Sequence, residues 1–157
     1  MSNSGSIQLL SQAAEEVLGT MFFSFVDPVN SIDDLMEGPV LIQVLKSSLR
    51  FQGPVKGAVE TYCALSICRS LAANFLGQEE EELSQEMVQD AFKEMTNMVV
   101  GRFLALIEPE RVCALGLPEV ELQPSLDLSD LMTRSEEVLV LDAGEGVTVF
   151  HLKLENQ

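Results

Sequence analysis

Apolar positions along the chain follow two different spacings, and these spacings predict its elements. Over residues 7–23 and 84–107 apolar residues recur every three or four positions, which is typical of a helix with one buried face. Residues 66–76 predict a shorter helix that ends at Gly77, and Pro109 ends the longest one. The chain is therefore expected to contain three helices.

The other apolar segments predict strands. Residues 40–51 and 55–65 flank the turn sequence "QGPVKG" and predict a hairpin. Residues 115–124 predict another strand, followed by a loop or turn region to about residue 134. The segment "EEVLVLDAGEGVTVFHLKLE", residues 136–155, predicts a strand, a turn at "DAGEG" and a last strand.

The order of these elements is helix, hairpin, two helices and then strands, which indicates an α+β fold without a βαβ repeat. A length of 157 residues suits one domain over residues 1–157, in which residues 1–6, "MSNSGS", are expected to be a flexible N-terminus. Because aromatic residues make up only 6% and Trp is absent, the predicted core is aliphatic.

The charge balance excludes several classes of partner. With 25 acidic and 9 basic side chains, the formal net charge of −16 repels nucleic acid and anionic membrane surfaces. No apolar run approaches the roughly 20 residues that span a bilayer, and no signal peptide is visible. Three cysteines in no metal-ligand spacing indicate small buried thiols, so a reducing cytoplasm is the expected location.

The longest predicted helix carries a polar stripe opposite its apolar face. Asp90, Glu94, Asn97 and Gly101 are spaced by four, three and four residues, so they fall within about 60° of one another. The apolar residues of the opposite side are Val88, Ala91, Phe92, Met95, Val99, Phe103 and Leu106. Arg102 lies near the apolar side, and the pattern does not explain it.

Asn97 and Gly101 weaken this helix, by about 0.5 and 1 kcal/mol relative to alanine. An exposed helix face often carries charges and amides, but the packing pattern gives no reason for this pair. Chemically, a carboxamide can orient a water through its donors and acceptor, as a glutamine does in phosphoryl transfer by small GTPases. Glu94 could bind a lysine, and the metal and the phosphoryl group would then belong to a partner.

Other chemistry finds little support in the sequence. The lone His151 makes no metal-ligand set and is expected to be a solvent-facing strand residue. Cys63 or Cys113 would need a histidine base as a nucleophile, and the sequence places none nearby. We therefore expect no metal site and no cofactor of the chain's own.

The segment "DAFKEMTNMVVGRF", residues 90–103, resembles the signature helix of the CheX-type chemotaxis phosphatases, which are related to CheC and FliY. The flanking segments agree in order: "FQGPVKGAVETYCAL" resembles the family's hairpin, "SLAANFLG" the following helix, and "LGLPEVEL" the strand after the signature helix. The resemblance spans roughly residues 8–155. It implies a mostly antiparallel sheet packed against about three helices.

The resemblance also implies a function and roles for the stripe. Such proteins dephosphorylate a phosphorylated CheY-type response regulator, in which the regulator holds Mg²⁺. Asn97 would orient the attacking water and Glu94 would pair with the regulator's lysine. Asp90 would help in docking, Met98 at the stripe's edge could contact the partner, and Gly101 would permit its close approach.

The resemblance leaves two further questions. CheX itself forms a homodimer, which the apolar segment 138–141 or the hairpin edge could support here. Where the first helix is laid against the signature, Glu16 matches Glu94 but Gly19 stands in place of Asn97, so a second site is not expected. The alternative function is a non-catalytic module of the same fold that binds a response regulator or a flagellar-switch component.

Overall fold

The chain folds into four α-helices and one antiparallel sheet, as described by a computed structural model for residues 3–35, 38–135 and 137–155. The helices are α1 (Asn3–Met21), α2 (Leu65–Leu76), α3 (Gln85–Ile107) and α4 (Leu128–Arg134). The strands are β1 (Asp27–Pro28), β2 (Val40–Gln52), β3 (Gly57–Ala64), β4 (Ala114–Leu115), β5 (Glu119–Asp127), β6 (Val138–Asp142) and β7 (Val147–Leu154). Short 3₁₀ turns lie at Ile32–Asp34 and Glu80–Glu82.

The sheet has the strand order β1-β6-β7-β3-β2-β4, and β5 also pairs with β2. All these pairings are antiparallel. The predicted hairpins are confirmed as β2–β3 and β6–β7. In the centre of the sheet, Val59 of β3 lies opposite Leu49 of β2 and Leu152 of β7, so apolar side chains of three strands share one face.

The main core lies between this face and a layer formed by α1, α2 and α3. It contains Leu10 and Leu18 from α1, and Met95 and Phe103 from α3, and each of these side chains is fully buried. Because this layer matches the three predicted helices, the α+β prediction is confirmed. Within the described residues, no helix is long and apolar enough to cross a membrane.

The opposite face of the sheet is covered in part by α4, where the sequence predicted only a loop or turn region. Leu128 and Leu131 of α4 are buried against apolar residues of the sheet, including Val44 and Val149. Asp127 caps this helix, because its Oδ1 accepts hydrogen bonds from the backbone N–H groups of Ser129 and Asp130 at 3.0 and 3.3 Å. The loop prediction is therefore wrong for these seven residues.

The first helix begins earlier than the apolar pattern predicted. α1 begins at Asn3 rather than at residue 7, and Ser6 is buried within it. Residues 3–6 are therefore helical, and the flexibility expected of the N-terminus stays a prediction. Residues 1 and 2 lie outside the described residues.

The apolar segment 138–141 is largely used within the single chain. It forms most of β6, which pairs with β7 along its length and with the two-residue strand β1 only at Leu141 and Asp142. Leu139 and Leu141 belong to the main core, and Val140 packs on the opposite face. The segment's hydrophobicity is thus explained by burial within a single chain, and a homodimer stays a prediction.

Candidate functional site: the exposed stripe of helix α3

Helix α3 begins and ends as the sequence predicts. Ser84 is its N-cap, and the Ser84 hydroxyl accepts a hydrogen bond from the backbone N–H of Met87 at 3.1 Å. At the other end Glu108 is the C-cap and donates its N–H to the carbonyl of Leu104. The buried face contains Val88, Ala91, Phe92, Met95, Thr96, Val99, Val100, Phe103 and Leu104. This broad apolar contact fixes the helix against the sheet and so fixes the direction of its polar side.

The polar stripe faces away from the core, as predicted. Asp90 and Glu94 are exposed, while Asn97 and Gly101 are half-buried. Among the described residues, the Asn97 side chain has no hydrogen-bond partner, so its carboxamide is free to bind a water or a partner group. Glu94 lies one turn before Asn97 on the same side. The two side chains could therefore contact one external body together.

Three carboxylates follow one another along the start of this stripe. Glu86, Asp90 and Glu94 are spaced by four residues, are all exposed, and form no ion pair with any residue in the described ranges. Like charges four residues apart destabilise a helix by roughly 0.2–0.5 kcal/mol per pair. The stripe therefore presents a negative ridge whose charge the chain itself does not neutralise.

Gly101 is not required by packing or by backbone conformation. A Cβ built at this position would meet no atom within 4 Å beyond the neighbouring residues and the backbone of its own helix, and its φ angle is not in the left-handed region. Alanine would fit here and would favour the helix by about 1 kcal/mol. The glycine instead leaves bare backbone one turn beyond Asn97.

Arg102, which the sequence left unexplained, joins α3 to α1. Its Nε lies 2.8 Å from Oε2 of Glu16, and both side chains are about half exposed. Glu16 is therefore already paired with Arg102. The absence of a second site on α1 stays a prediction.

Met98 stands apart from the other residues expected to contact a partner. It is half-buried, and it packs against the main core. Part of its side chain is accessible at the edge of the stripe, so a partner contact by Met98 stays a prediction. Its packing shows that it also serves the core.

A groove beside the stripe was not foreseen from the sequence. Phe75 and Leu76 at the end of α2 face Met87 and Ala91 of α3 across a shallow groove of about 380 Å³. Asp90 and Glu94 line the same groove. No sequence signal pointed to it, because packing of α2 on α3 brings these side chains together.

A second cluster of charged side chains lies on the other face of the sheet, around Glu60. Its carboxylate contacts Lys153 Nζ at 2.9 Å and Lys46 Nζ at 3.1 Å. Burial alone would raise the pKa of Glu60, but the hydrogen bonds and charges of Lys153 and Lys46 lower it to about 2. This network stabilises the middle of the sheet, away from α3.

His151 belongs to the same network, which corrects the expectation of a solvent-facing residue. Its Nδ1 lies 3.3 Å from Glu60 Oε1, and only 12% of its side chain is exposed. Burial lowers the pKa of His151, although the Glu60 carboxylate opposes this shift. The sequence correctly placed His151 in the last strand, but it did not show how closely that side of the strand is covered.

The three cysteines differ in how far they are exposed to solvent. Cys63 and Cys68 are buried, Cys113 is half-buried, and all three are free thiols. Burial raises the pKa of the Cys68 thiol well above its usual value. Among residues 3–35, 38–135 and 137–155, no group of three or more His, Cys, Asp or Glu side chains could hold a metal ion.

Comparison with known families identifies the class to which this fold and stripe belong. The family model of the chemotaxis phosphatase CheX matches residues 46–140, more than half of the chain and including all of α3. The chain belongs to the CheX chemotaxis phosphatase family. No curated protein sequence matches the chain significantly.

Solved structures of the same family share the fold over almost the whole chain. The chemotaxis protein CheX from Vibrio vulnificus is 17% identical, with a TM-score of 0.74 and 99% of each chain covered. CheX from Desulfovibrio desulfuricans is 16% identical, with a TM-score of 0.71, covering 96% of this chain and 99% of that one. A complex of CheX with CheY, BeF3 and Mg²⁺ from Borrelia burgdorferi gives 14% identity and a TM-score of 0.60, covering 96% and 97%.

Proposed function

We propose that this protein is a phosphatase that accelerates hydrolysis of the aspartyl phosphate of a CheY-type response regulator. The observation that carries the proposal is the exposed pair Glu94 and Asn97 on a rigidly packed helix of a CheX family member. The Asn97 carboxamide has no partner within the described residues, so no bond of the fold must be broken before it acts. A preformed, unoccupied polar group is what positioning catalysis requires.

Asn97 would act by orienting water. A carboxamide can accept a hydrogen bond from a water through its carbonyl oxygen, or donate one to a water through its NH₂ group. Such a bond would hold the water in line with the phosphorus–oxygen bond that is broken. Asparagine does not remove a proton at neutral pH, so its contribution is orientation rather than base catalysis. Its removal should therefore lower kcat more than it weakens binding.

Glu94 would hold the regulator in place through its lysine. One turn separates Glu94 from Asn97, so a lysine bound to the carboxylate sets the regulator's phosphoryl group over the carboxamide. On this proposal Mg²⁺ is held by the regulator, where it neutralises the phosphoryl oxygens. Asp90 lies one turn before Glu94 and would add to the attraction between the two proteins.

The proposed partner agrees with what is known of a relative. The solved complex from Borrelia burgdorferi contains CheX together with CheY, BeF3 and Mg²⁺. We infer the same class of partner for this chain, and hence a location in the cytoplasm. The homodimer of the family is likewise part of the proposal.

The experiment measures phosphate release from purified receiver domains of the same cell after phosphorylation by a small phosphodonor. The proposal expects faster release with the wild-type protein, and a loss of roughly 10²–10³ in kcat for Asn97→Ala, the size typical of removing one positioned hydrogen-bonding group. Gln89→Ala, on another side of α3, serves as the matched control and should retain the wild-type rate. Binding without acceleration would instead support the non-catalytic module.

A further inference from the structure

The groove between α2 and α3 continues the proposed contact surface towards the start of α3. Four of its lining side chains are apolar, namely Phe75, Leu76, Met87 and Ala91. Leu76 is 39% exposed, which makes it a large apolar side chain without full cover at the end of α2. Phe75 below it is fixed by stacking on Phe22, with ring centroids 4.7 Å apart. The groove therefore has a firm floor and one exposed apolar wall.

Glu94 joins this groove to the proposed site, because the same carboxylate lines the groove and lies one turn from Asn97. A protein whose lysine reaches Glu94 must place neighbouring surface over the groove. Water in the groove would then be displaced from apolar walls, which favours an apolar side chain over a polar one. Asp90 lies on the rim, where it can remain paired or hydrated.

We propose that this groove receives an apolar side chain of the response-regulator receiver domain, beside the lysine that pairs with Glu94. The inference rests on the proposed function and extends its docking surface from Asn97 across Asp90 to Leu76 and Met87. Methionine suits such a wall, because its unbranched side chain adapts to the shape of the inserted group. The groove thus contributes to which receiver is accepted, while Asn97 contributes to the rate.

Charge favours a receiver over a second copy of this chain as the occupant. Each copy carries a formal net charge of −16, and the groove borders the ridge formed by Glu86, Asp90 and Glu94. Two copies meeting at this groove would bring like charges together. A receiver that offers a lysine to Glu94 brings the opposite charge to the same place.

The test combines steady-state phosphate release with binding of receiver domains loaded with beryllofluoride and Mg²⁺. Leu76→Ser should raise both KM and Kd about fivefold, the order expected when a partly exposed leucine loses its apolar contact, with kcat within about twofold of wild type. Leu76→Met keeps an apolar side chain at this position and should have the KM and Kd of the wild-type protein. The matched control is Leu122→Ser, because Leu122 is 54% exposed on β5 and is not among the residues that line the groove. Circular dichroism checks that each variant is folded.

The outcomes separate this inference from the proposed function. Unchanged KM and Kd for Leu76→Ser, with activity still lost in Asn97→Ala, would overturn the groove and leave the phosphatase standing. If Leu76→Ser binds the receiver more weakly than wild type does, but the wild-type protein releases no phosphate, the groove would be supported and the phosphatase overturned. If the wild-type protein neither binds any receiver of the cell nor releases phosphate from it, both proposals would be overturned. If Leu76→Ser changes only self-association, measured by sedimentation, and not receiver binding, the groove would bind a second copy of this chain and the inference would be contradicted.

Discussion

Replacing Gly101 with alanine should make the protein more stable and less active. Gly101 lies in the interior of α3, where glycine is the least favourable residue after proline. A methyl group at this position would meet no atom within 4 Å beyond the neighbouring residues and the backbone of its own helix. The substitution therefore adds helix propensity without a steric cost in the free protein.

The size of the stabilisation follows from the difference between glycine and alanine in a helix interior. This difference is about 1 kcal/mol, and part of it comes from the smaller conformational freedom of the unfolded alanine chain. For a domain of this length, 1 kcal/mol raises Tm by roughly 2–4 °C. Thermal unfolding followed by circular dichroism, together with urea unfolding, measures both quantities.

Activity should move in the opposite direction if bare backbone at Gly101 permits the partner's approach. An added methylene in a packed contact typically costs about 1–3 kcal/mol, so KM for the phosphorylated receiver should rise by roughly 5- to 150-fold. The matched control is Ala105→Gly, at an exposed position one turn further along α3. It should lower stability by about 1 kcal/mol and leave KM unchanged.

Two results would refute this reasoning. A Gly101→Ala protein that is less stable than wild type would show that the space above the glycine is not open. A protein that is more stable and fully active would show that no partner comes close to Gly101. In the second case the glycine would be a neutral feature of the helix rather than part of the contact surface.

Three further predictions concern charged groups. Glu60→Gln should lower stability at pH 7 by roughly 1–3 kcal/mol and reduce the acid sensitivity of the fold, measured by urea unfolding against pH. The reason is that a pKa lowered to about 2 gives stability that is present above about pH 4.5 and is lost as the pH falls towards 2. Arg102→Ala should cost less than about 1 kcal/mol, because its pair with Glu16 is half exposed, and a change in kcat would contradict a purely structural role. Asp90→Asn should stabilise α3 by a few tenths of a kcal/mol and weaken the salt dependence of receiver binding, and an unchanged salt dependence would remove Asp90 from the contact.

The long helix and its stripe could be predicted from the sequence because local rules determine them. Ser84 supplies the cap, and the apolar residues from Val88 to Phe103 repeat with the helical period, so the opposite side must carry Glu94 and Asn97. The two hairpins also follow from local turn residues between apolar segments. For these elements, tertiary contacts strengthen what the local sequence already favours.

The features that escaped prediction depend on contacts between distant parts of the chain. Helix α4 has seven residues, too few for a clear period, and it is held mainly by burial of Leu128 and Leu131 against the sheet. The pair of Arg102 with Glu16 joins residues 86 positions apart. The groove beside Glu94 exists only because the end of α2 packs on α3. Periodicity assigns a residue to a face but does not show what covers that face.

The proposed mechanism requires that Asn97 directs water onto a partner's phosphoryl group while Glu94 holds that partner. The most direct test measures phosphate release and beryllofluoride–receiver binding for Asn97→Ala in the same preparation. This mechanism predicts a fall in kcat of roughly 10²–10³ with Kd within about threefold of wild type, in a protein about 0.5 kcal/mol more stable. An Asn97→Ala protein that releases phosphate as fast as wild type would contradict the claim.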